Sequence, residues 1–154
     1  MNVTFVSPFL SSIMNVLSTM AQMEAKAGKP FYKKNKIAHG AVTGIIGMVG
    51  KQTRGTLAIS FTEPAILEIT KRMLGEEETG INETVIDMTG EITNMVTGGA
   101  KNLLTEQGYK FDMATPTVIS GKDHVVNHKS GTPVIVVPFK TEAGDFFIEI
   151  CFED

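Results

Sequence analysis

The stretch NETVIDMTGEITNMVTGGAKNLLTEQG, residues 82–108, has the apolar spacing of one long amphipathic helix. Its first residue is suited to cap a helix and its last to end one. Gly90, Gly98 and Gly99 stand inside it, although each glycine in a helix interior costs about 1 kcal/mol relative to alanine. The sequence therefore predicts a long helix that another surface approaches closely, and the question is which surface that is.

Two further helices are predicted from the spacing of apolar residues. SPFLSSIMNVLSTMAQMEAKAG, residues 7–28, predicts a first long helix with Ser7 as its cap and Pro8 in its first turn. TEPAILEITKRML, residues 62–74, predicts a shorter helix that ends at Gly75. The long helix of residues 82–108 is then the third.

The remaining apolar runs have the composition of β-strands. Residues 41–61 contain two such runs joined by the polar turn GKQTRG, and residues 132–152 contain two more around the turn TEAG, so each range predicts a hairpin. TPTVIS, residues 115–120, predicts one more strand. Helices that alternate with antiparallel hairpins predict an α+β fold, with long helices packed on one mainly antiparallel sheet.

The two halves of the chain resemble each other. SSIMNVLSTMAQ, residues 11–22, aligns without a gap to GEITNMVTGGAK, residues 90–101, and a hairpin of similar length follows each copy. We therefore expect a single domain over residues 1–154, built from pseudo-twofold repeats at about 8–74 and 83–152.

Composition narrows the possible functions. Lys and Arg number 14 against 17 Asp and Glu, so no broad basic field favours nucleic acid or anionic lipid. No apolar run approaches the length of a membrane span and no basic segment opens the chain, so a cytoplasmic protein is expected. Cys151 is the single cysteine and is expected to be buried. His124 and His128 lie in a polar segment that predicts a solvated loop rather than a metal site.

One flank of the third helix is polar. Asp87, Glu91, Asn94 and Gly98 fall together on it, and Glu91 and Asn94 lie about 60° apart around the axis and about 4.5 Å apart along it. Both side chains can therefore reach one external target. From residue types alone, an ordinary solvated surface is the commoner explanation of such a pair.

A family resemblance is carried by the same residues. Through SPFLSSIMNVLSTMA, the duplicated halves and above all the E-x-x-N signature at Glu91 and Asn94 in GEITNMVTGGAK, the sequence resembles the CheX-type phosphatases of the CheC/CheX/FliY chemotaxis group. The resemblance covers essentially the whole chain and implies a CheC-like fold. Members with two sites carry the pair in both repeats, whereas the first copy here has Ser12 and Asn15. One site per chain is implied.

The resemblance also implies a substrate, the aspartyl phosphate of a CheY-like response regulator. It implies that Asn94 orients the attacking water and that Glu91 contacts the lysine at the regulator's phosphate site. A carboxamide suits the first role because it accepts and donates hydrogen bonds without changing protonation state. Asp87 and Gly98 are weaker candidates for docking the partner.

Several expectations about cofactors and partners follow from the resemblance. No cofactor is expected on this chain, and Mg²⁺ is expected in the regulator's own site. A homodimer is implied, joined through a sheet edge such as the strand in residues 115–120. The alternative is a non-catalytic module that binds CheY or belongs to the flagellar switch group and uses the same helix face without hydrolysis.

Overall fold

Three helices cover one face of an antiparallel sheet in the structure, a computed structural model that describes residues 3–51, 53–128 and 132–153. The apolar side chains of the sheet that face the helices and the buried sides of the helices form one core. The predicted α+β fold is therefore confirmed. The helices are α1 Val3–Ala21, α2 Glu63–Leu74 and α3 Glu83–Glu106.

The described residues contain eight strands in one sheet, paired in the order β1-β7-β8-β4-β3-β5, with β2 also on β7 and β6 also on β3. Both predicted hairpins are present as β3 with β4 and β7 with β8. The strands are β1 Lys26–Ala27, β2 Phe31–Tyr32, β3 Val42–Gly50, β4 Arg54–Phe61, β5 Phe111–Met113, β6 Thr117–Ser120, β7 Ile135–Lys140 and β8 Asp145–Glu153.

The two hairpins meet at the centre of the sheet, where β4 pairs with β8 along its whole length. Alternate residues of each strand point to the helices, as Leu57 and Ile150 do in one such cross-strand pair. The residues between them point to the other face, which carries the buried carboxylate of Glu149. The central strands are therefore buried on both faces.

The bounds predicted for the first helix are wrong at both ends. Helix α1 begins at Val3 instead of Ser7, and Pro8 lies inside it. Phe5 explains the extension, because its ring stacks on Phe152 at 4.8 Å between centroids and the helical turn before Pro8 places it there. At the other end the helix stops at Ala21, and the chain continues in extended form to pair with β7. Tertiary packing and strand pairing override the local pattern.

The edges of the sheet are made of short strands. β1 and β2, which follow α1, pair with β7, whereas β5 and β6, which follow α3, pair with β3. Each half of the chain thus supplies the edge beside the other half's hairpin. This exchange suits the expected pseudo-repeats, although the duplication itself stays a prediction.

No helix within the described ranges has the length and apolar character needed to cross a membrane. The described residues leave out positions 1 and 2, Gln52 of the predicted turn GKQTRG, positions 129–131 of the polar segment that carries His124 and His128, and position 154.

Candidate functional site

Helix α3 is fixed at its start by an Asn82 cap, as predicted. The Val85 backbone N–H donates to Asn82 Oδ1 at 3.1 Å, and the Asn82 amide donates to Glu78 Oε2 at 2.7 Å. Glu83 in the first turn adds a favourable charge at the positive end of the helix dipole. The cap thus joins the acidic loop before α3 to the helix itself.

The buried side of α3 contains a row of threonines that the spacing of apolar residues does not reveal. The hydroxyls of Thr89, Thr93 and Thr97 each donate to the carbonyl four residues earlier, at 2.7 to 2.8 Å. These bonds satisfy the hydroxyls in an apolar core. Thr93 also lies against Gly44 of β3, where a Cβ would overlap its Oγ1. Helix α3 therefore rests very close to the sheet.

Glu91 and Asn94 flank Thr93 in sequence and lie on the opposite, exposed side of the helix. Neither side chain makes a hydrogen bond or ion pair with another described residue. The helical geometry sets them about 60° and about 4.5 Å apart. A carboxylate and a carboxamide with free hydrogen-bonding groups thus share one side of a rigidly anchored helix.

The two neighbouring candidates are also exposed to an approaching surface. Asp87 is exposed one turn before Glu91. At Gly98, one turn after Asn94, a Cβ would meet nothing within 4 Å, so a flat opening lies beside the pair. At Gly90 a Cβ would come within 3.3 Å of Val118 on β6.

Gly99 is needed for a different reason than Gly98. A Cβ on Gly99 would overlap Ser12 Oγ of α1, and that hydroxyl donates to the Val96 carbonyl at 2.7 Å. Gly99 therefore allows α1 and α3 to touch. Close packing against a neighbouring helix thus accounts for this glycine.

The alignment that sets Ser12 opposite Glu91 needs a correction of one residue. Ser12 is 5% exposed and lies in the contact between α1 and α3, whereas Glu91 is exposed. Burial along the two helices agrees far better when Ser11 is set opposite Glu91, which places Met14 opposite Asn94. The exposed face of α1 then offers a hydroxyl and a thioether where α3 offers a carboxylate and a carboxamide.

The sequence matches a known family over the span that contains the candidate site. The family model of the chemotaxis phosphatase CheX matches residues 42–140, a span that contains the whole of α3. The chain belongs to the CheX family. The CheY-P phosphatase CheX of Thermotoga maritima is 30% identical over 125 residues, which are 80% of this chain and 79% of that protein. The predicted family is confirmed.

Solved structures agree with the fold. The crystal structure of a CheC-like superfamily protein from Shewanella sp. PV-4 is 58% identical, has a TM-score of 0.94 and covers 100% of both chains. The CheX–CheY–BeF3–Mg²⁺ complex from Borrelia burgdorferi matches at 24% identity with a TM-score of 0.82, covering 99% of this chain and 100% of that chain, and speaks for the fold alone. The CheC-like fold is therefore confirmed.

The histidines of this CheX-family chain are not in a solvated loop, contrary to the prediction. His124 and His128 are both 9% exposed. His124 Nε2 lies 2.6 Å from Thr43 Oγ1, while His128 Nε2 donates to Glu149 Oε1 at 3.0 Å. The segment that carries both histidines lies over the face of the sheet away from the helices, where the polar side chains of β3 and β8 give them partners. Within the described ranges, no three His, Cys, Asp or Glu residues are grouped to hold a metal.

Glu149 is the centre of a buried charged cluster on that face. Its side chain is fully buried, and Lys33 Nζ donates to Oε2 at 2.7 Å. Burial, the largest influence, raises the pKa of Glu149, but the hydrogen bonds and charges of His128 and Lys33 outweigh it and hold the pKa below its usual value. Burial lowers the pKa of nearby His39. The cluster ties two loops to the sheet, on the face away from Glu91 and Asn94.

Cys151 is buried and free, as expected. Its Sγ lies 3.2 Å from Thr132 Oγ1 on the same face as Glu149. It therefore acts as a small core residue.

Proposed function

We propose that this chain is a phosphatase that hydrolyses the aspartyl phosphate of a CheY-like response regulator at the exposed side of α3. The observation that carries the proposal is the free Glu91 and Asn94 pair on a helix whose other side is locked by the Thr93 contact with Gly44. Family membership supports it, as does the CheY-P phosphatase activity named for the Thermotoga relative. A rigid support for two unpaired polar groups is what positioning a substrate requires.

Asn94 is proposed to position the attacking water. Hydrolysis of an acyl phosphate passes through a loose transition state, with the entering and leaving oxygens in line with phosphorus. The Asn94 carboxamide oxygen accepts a hydrogen bond from the water and so directs a lone pair of the water oxygen towards phosphorus. The carboxamide does this without a change of protonation state. The P–O bond to the regulator's aspartate breaks as the water oxygen bonds phosphorus, which releases inorganic phosphate and the free carboxylate. No covalent intermediate on this chain is needed.

Glu91 is proposed to dock the regulator. An exposed carboxylate is a weak general base at neutral pH, but it forms a strong charge-assisted hydrogen bond with an ammonium group. Contact with the lysine at the regulator's phosphate site would set the partner so that Asn94 lies behind the phosphoryl group. Asp87 lies one turn earlier and adds negative charge to the same contact.

The regulator completes the site in this proposal. Glu91 and Asn94 are exposed, so the chain alone does not exclude water or hold a phosphoryl group. Mg²⁺ would be held by the regulator, where it would neutralise charge on the phosphoryl oxygens. The Borrelia burgdorferi crystal structure with the same fold is a complex of CheX with CheY, BeF3 and Mg²⁺, and the proposal assigns the last two to the regulator. A cytoplasmic location follows from such a substrate.

A homodimer is part of the proposal as well. Among the described strands, β6 pairs with β3 on one side, and none pairs with its other side. An open edge of this kind is suited to pairing with a second copy. Light scattering at micromolar concentration should give twice the mass of the 154-residue chain. A monomer mass would contradict the dimer and would leave the phosphatase proposal standing.

The test of the activity separates hydrolysis from binding. A panel of CheY-like regulators is phosphorylated with a small acyl phosphate and freed of it, and loss of the phosphoryl group is followed with and without the chain. We expect one or more regulators to lose phosphate faster by at least an order of magnitude. Binding to the beryllofluoride form without any acceleration would establish the non-catalytic module instead.

A further inference from the structure

A groove of about 860 Å³ lies where the C-terminal end of α3 meets the ends of β3 and β5. Three lysines line it, one from each of these regions: Lys51 after β3, Lys101 from α3 and Lys110 before β5. Phe111 and Asp112 are also part of its wall. The groove includes neither Glu91 nor Asn94.

The lysines give the groove an uncompensated positive charge. None of the three ammonium groups makes an ion pair or hydrogen bond with another described residue, and Asp112 is the one acidic residue among the described residues of the wall. The chain as a whole carries a formal charge of −3. A local excess of positive charge on an acidic protein attracts an anionic partner and steers its approach.

The groove continues the face of α3 that carries the proposed site. Glu91, Asn94, Gly98, Lys101 and Thr105 follow one another at spacings of three or four residues, so they lie along one side of the helix. Lys101 is about 10 Å beyond Asn94 along the axis. This side of the helix is therefore negative at Glu91 and positive at the groove.

We propose that this lysine groove binds carboxylate side chains on the surface of the phosphorylated regulator, outside its phosphate site; the inference rests on the proposed function. In the proposed complex the phosphoryl group lies near Asn94, which does not line the groove and whose backbone is about 10 Å from that of Lys101 along the helix axis. The groove therefore takes aspartate and glutamate side chains from another part of the same regulator.

Two contacts of opposite sign would fix the direction of docking. A regulator in the productive orientation presents its lysine to Glu91 and its acidic patch to the groove. A regulator turned end to end would bring like charges together at both points, which is unfavourable. The groove then selects among regulators that share the same phosphate-site chemistry but differ in surface charge.

The test compares two variants with the same change in net charge. One combines Lys51→Glu, Lys101→Glu and Lys110→Glu in the groove. The control combines Lys29→Glu, Lys34→Glu and Lys36→Glu, three exposed lysines near the other edge of the sheet. Steady-state turnover and binding of the beryllofluoride-loaded regulator are measured for both at low and high salt, with thermal unfolding as a check of folding.

We expect the groove variant to raise KM and Kd by about tenfold or more at low salt, with kcat unchanged at saturating regulator. The difference should shrink at high salt, because screening removes the attraction in the wild type. The control variant should stay within about twofold of the wild type.

Equal effects of the groove and control variants would overturn the inference, as would a fall in kcat with no change in KM. A change in the chain's mass in solution without loss of regulator binding would assign the groove to contact between copies. If the wild type binds a regulator but hydrolyses none, the proposed function fails while the Kd comparison still decides the groove. If it binds none, both fail.

Discussion

Thr93 of α3 lies so close to Gly44 of β3 that no side chain fits between them, since a Cβ on Gly44 would overlap Thr93 Oγ1. That hydroxyl is in turn held by the Thr89 carbonyl at 2.7 Å. Thr93 stands between Glu91 and Asn94, so this contact sets the height of both exposed groups above the sheet. The candidate site is thus positioned from the buried side of its helix.

Gly44→Ala should therefore reduce both stability and turnover. The added methyl would displace Thr93, which is tight at Cβ as well, at 3.0 Å. We expect a loss of about 1–3 kcal/mol in the free energy of unfolding, measured with urea. Adding Thr93→Ala should restore part of the lost stability because it removes the overlapping atom. A Gly44→Ala chain as stable and active as the wild type would show that the contact is not tight.

Gly98→Leu should impair turnover without loss of stability. A side chain at Gly98 meets nothing within 4 Å, and replacing glycine in a helix raises helix propensity by up to about 1 kcal/mol. The leucine would instead occupy the space beside Asn94 that the regulator is proposed to enter. Thermal unfolding and KM measured on the same preparation check this. An unchanged KM would mean that the partner does not approach Gly98.

Gly99→Ala should have the opposite effect, with loss of stability as the main result. Its methyl would overlap Ser12 Oγ in the contact between α1 and α3, at a cost of about 1–3 kcal/mol. Ser12 Cβ is 3.4 Å from that methyl position, an ordinary contact distance, so the double change Ser12→Ala with Gly99→Ala should recover much of the loss. Urea unfolding of the four chains in this cycle gives the coupling. Additive effects would rule out the overlap.

Glu149→Gln should destabilise the fold severely. The change leaves the Lys33 ammonium, 5% exposed, without its buried counter-charge, which costs about 3–5 kcal/mol. The matched control is Glu68→Gln, which removes a partly exposed pair with Arg72 one turn away and should cost less than about 1 kcal/mol. Equal losses in the two variants would show that the Glu149 cluster is not held as described.

The same cluster makes the fold sensitive to acid. Folding lowers the pKa values of His39 and Glu149 below their ordinary 6.5 and 4.5, so the unfolded chain binds each proton first as pH falls. Their contribution to stability is complete above these values and is lost below them. As the pH is lowered past 6.5, the urea concentration at the unfolding midpoint should decrease slightly, and past 4.5 it should decrease steeply. Glu149→Gln should make the second decrease smaller.

The core elements could be predicted from sequence because their signals are local. The spacing of apolar residues predicts α3, and strand composition around short turns predicts both hairpins. The predictions of Asn82 and Gly75 as helix ends are confirmed because capping depends on neighbouring residues.

The predictions are wrong where residues distant in sequence determine the local structure. Phe5 extends α1 through Pro8 because it packs on Phe152, and the two-residue strands β1 and β2 exist only because β7 is beside them. His124 and His128 are buried because Thr43 and Glu149 give them polar partners across the sheet. No pattern within residues 121–131 contains this information.

The candidate site, too, is predictable from local sequence only in part. The exposed positions of Glu91 and Asn94 follow from helical periodicity, which sequence provides. Whether these side chains have partners, and how α3 rests on Gly44, depends on the sheet and could not be predicted. The glycine at position 44 is the one sequence feature that hints at this close contact with Thr93. The strand-like composition of β3 does not show which residue Gly44 faces.

The central claim is that Asn94 positions the hydrolytic water, and a single-turnover comparison tests it most directly. A phosphorylated CheY-like regulator that the wild type dephosphorylates is mixed with excess wild type, Asn94→Ala or Asn15→Ala, and release of phosphate is timed. Asn15 is an exposed asparagine on α1 and serves as the matched control. We expect Asn94→Ala to lose about 100-fold or more in rate while it still binds the regulator, and Asn15→Ala to match the wild type. Equal rates for Asn94→Ala and the wild type would contradict the account.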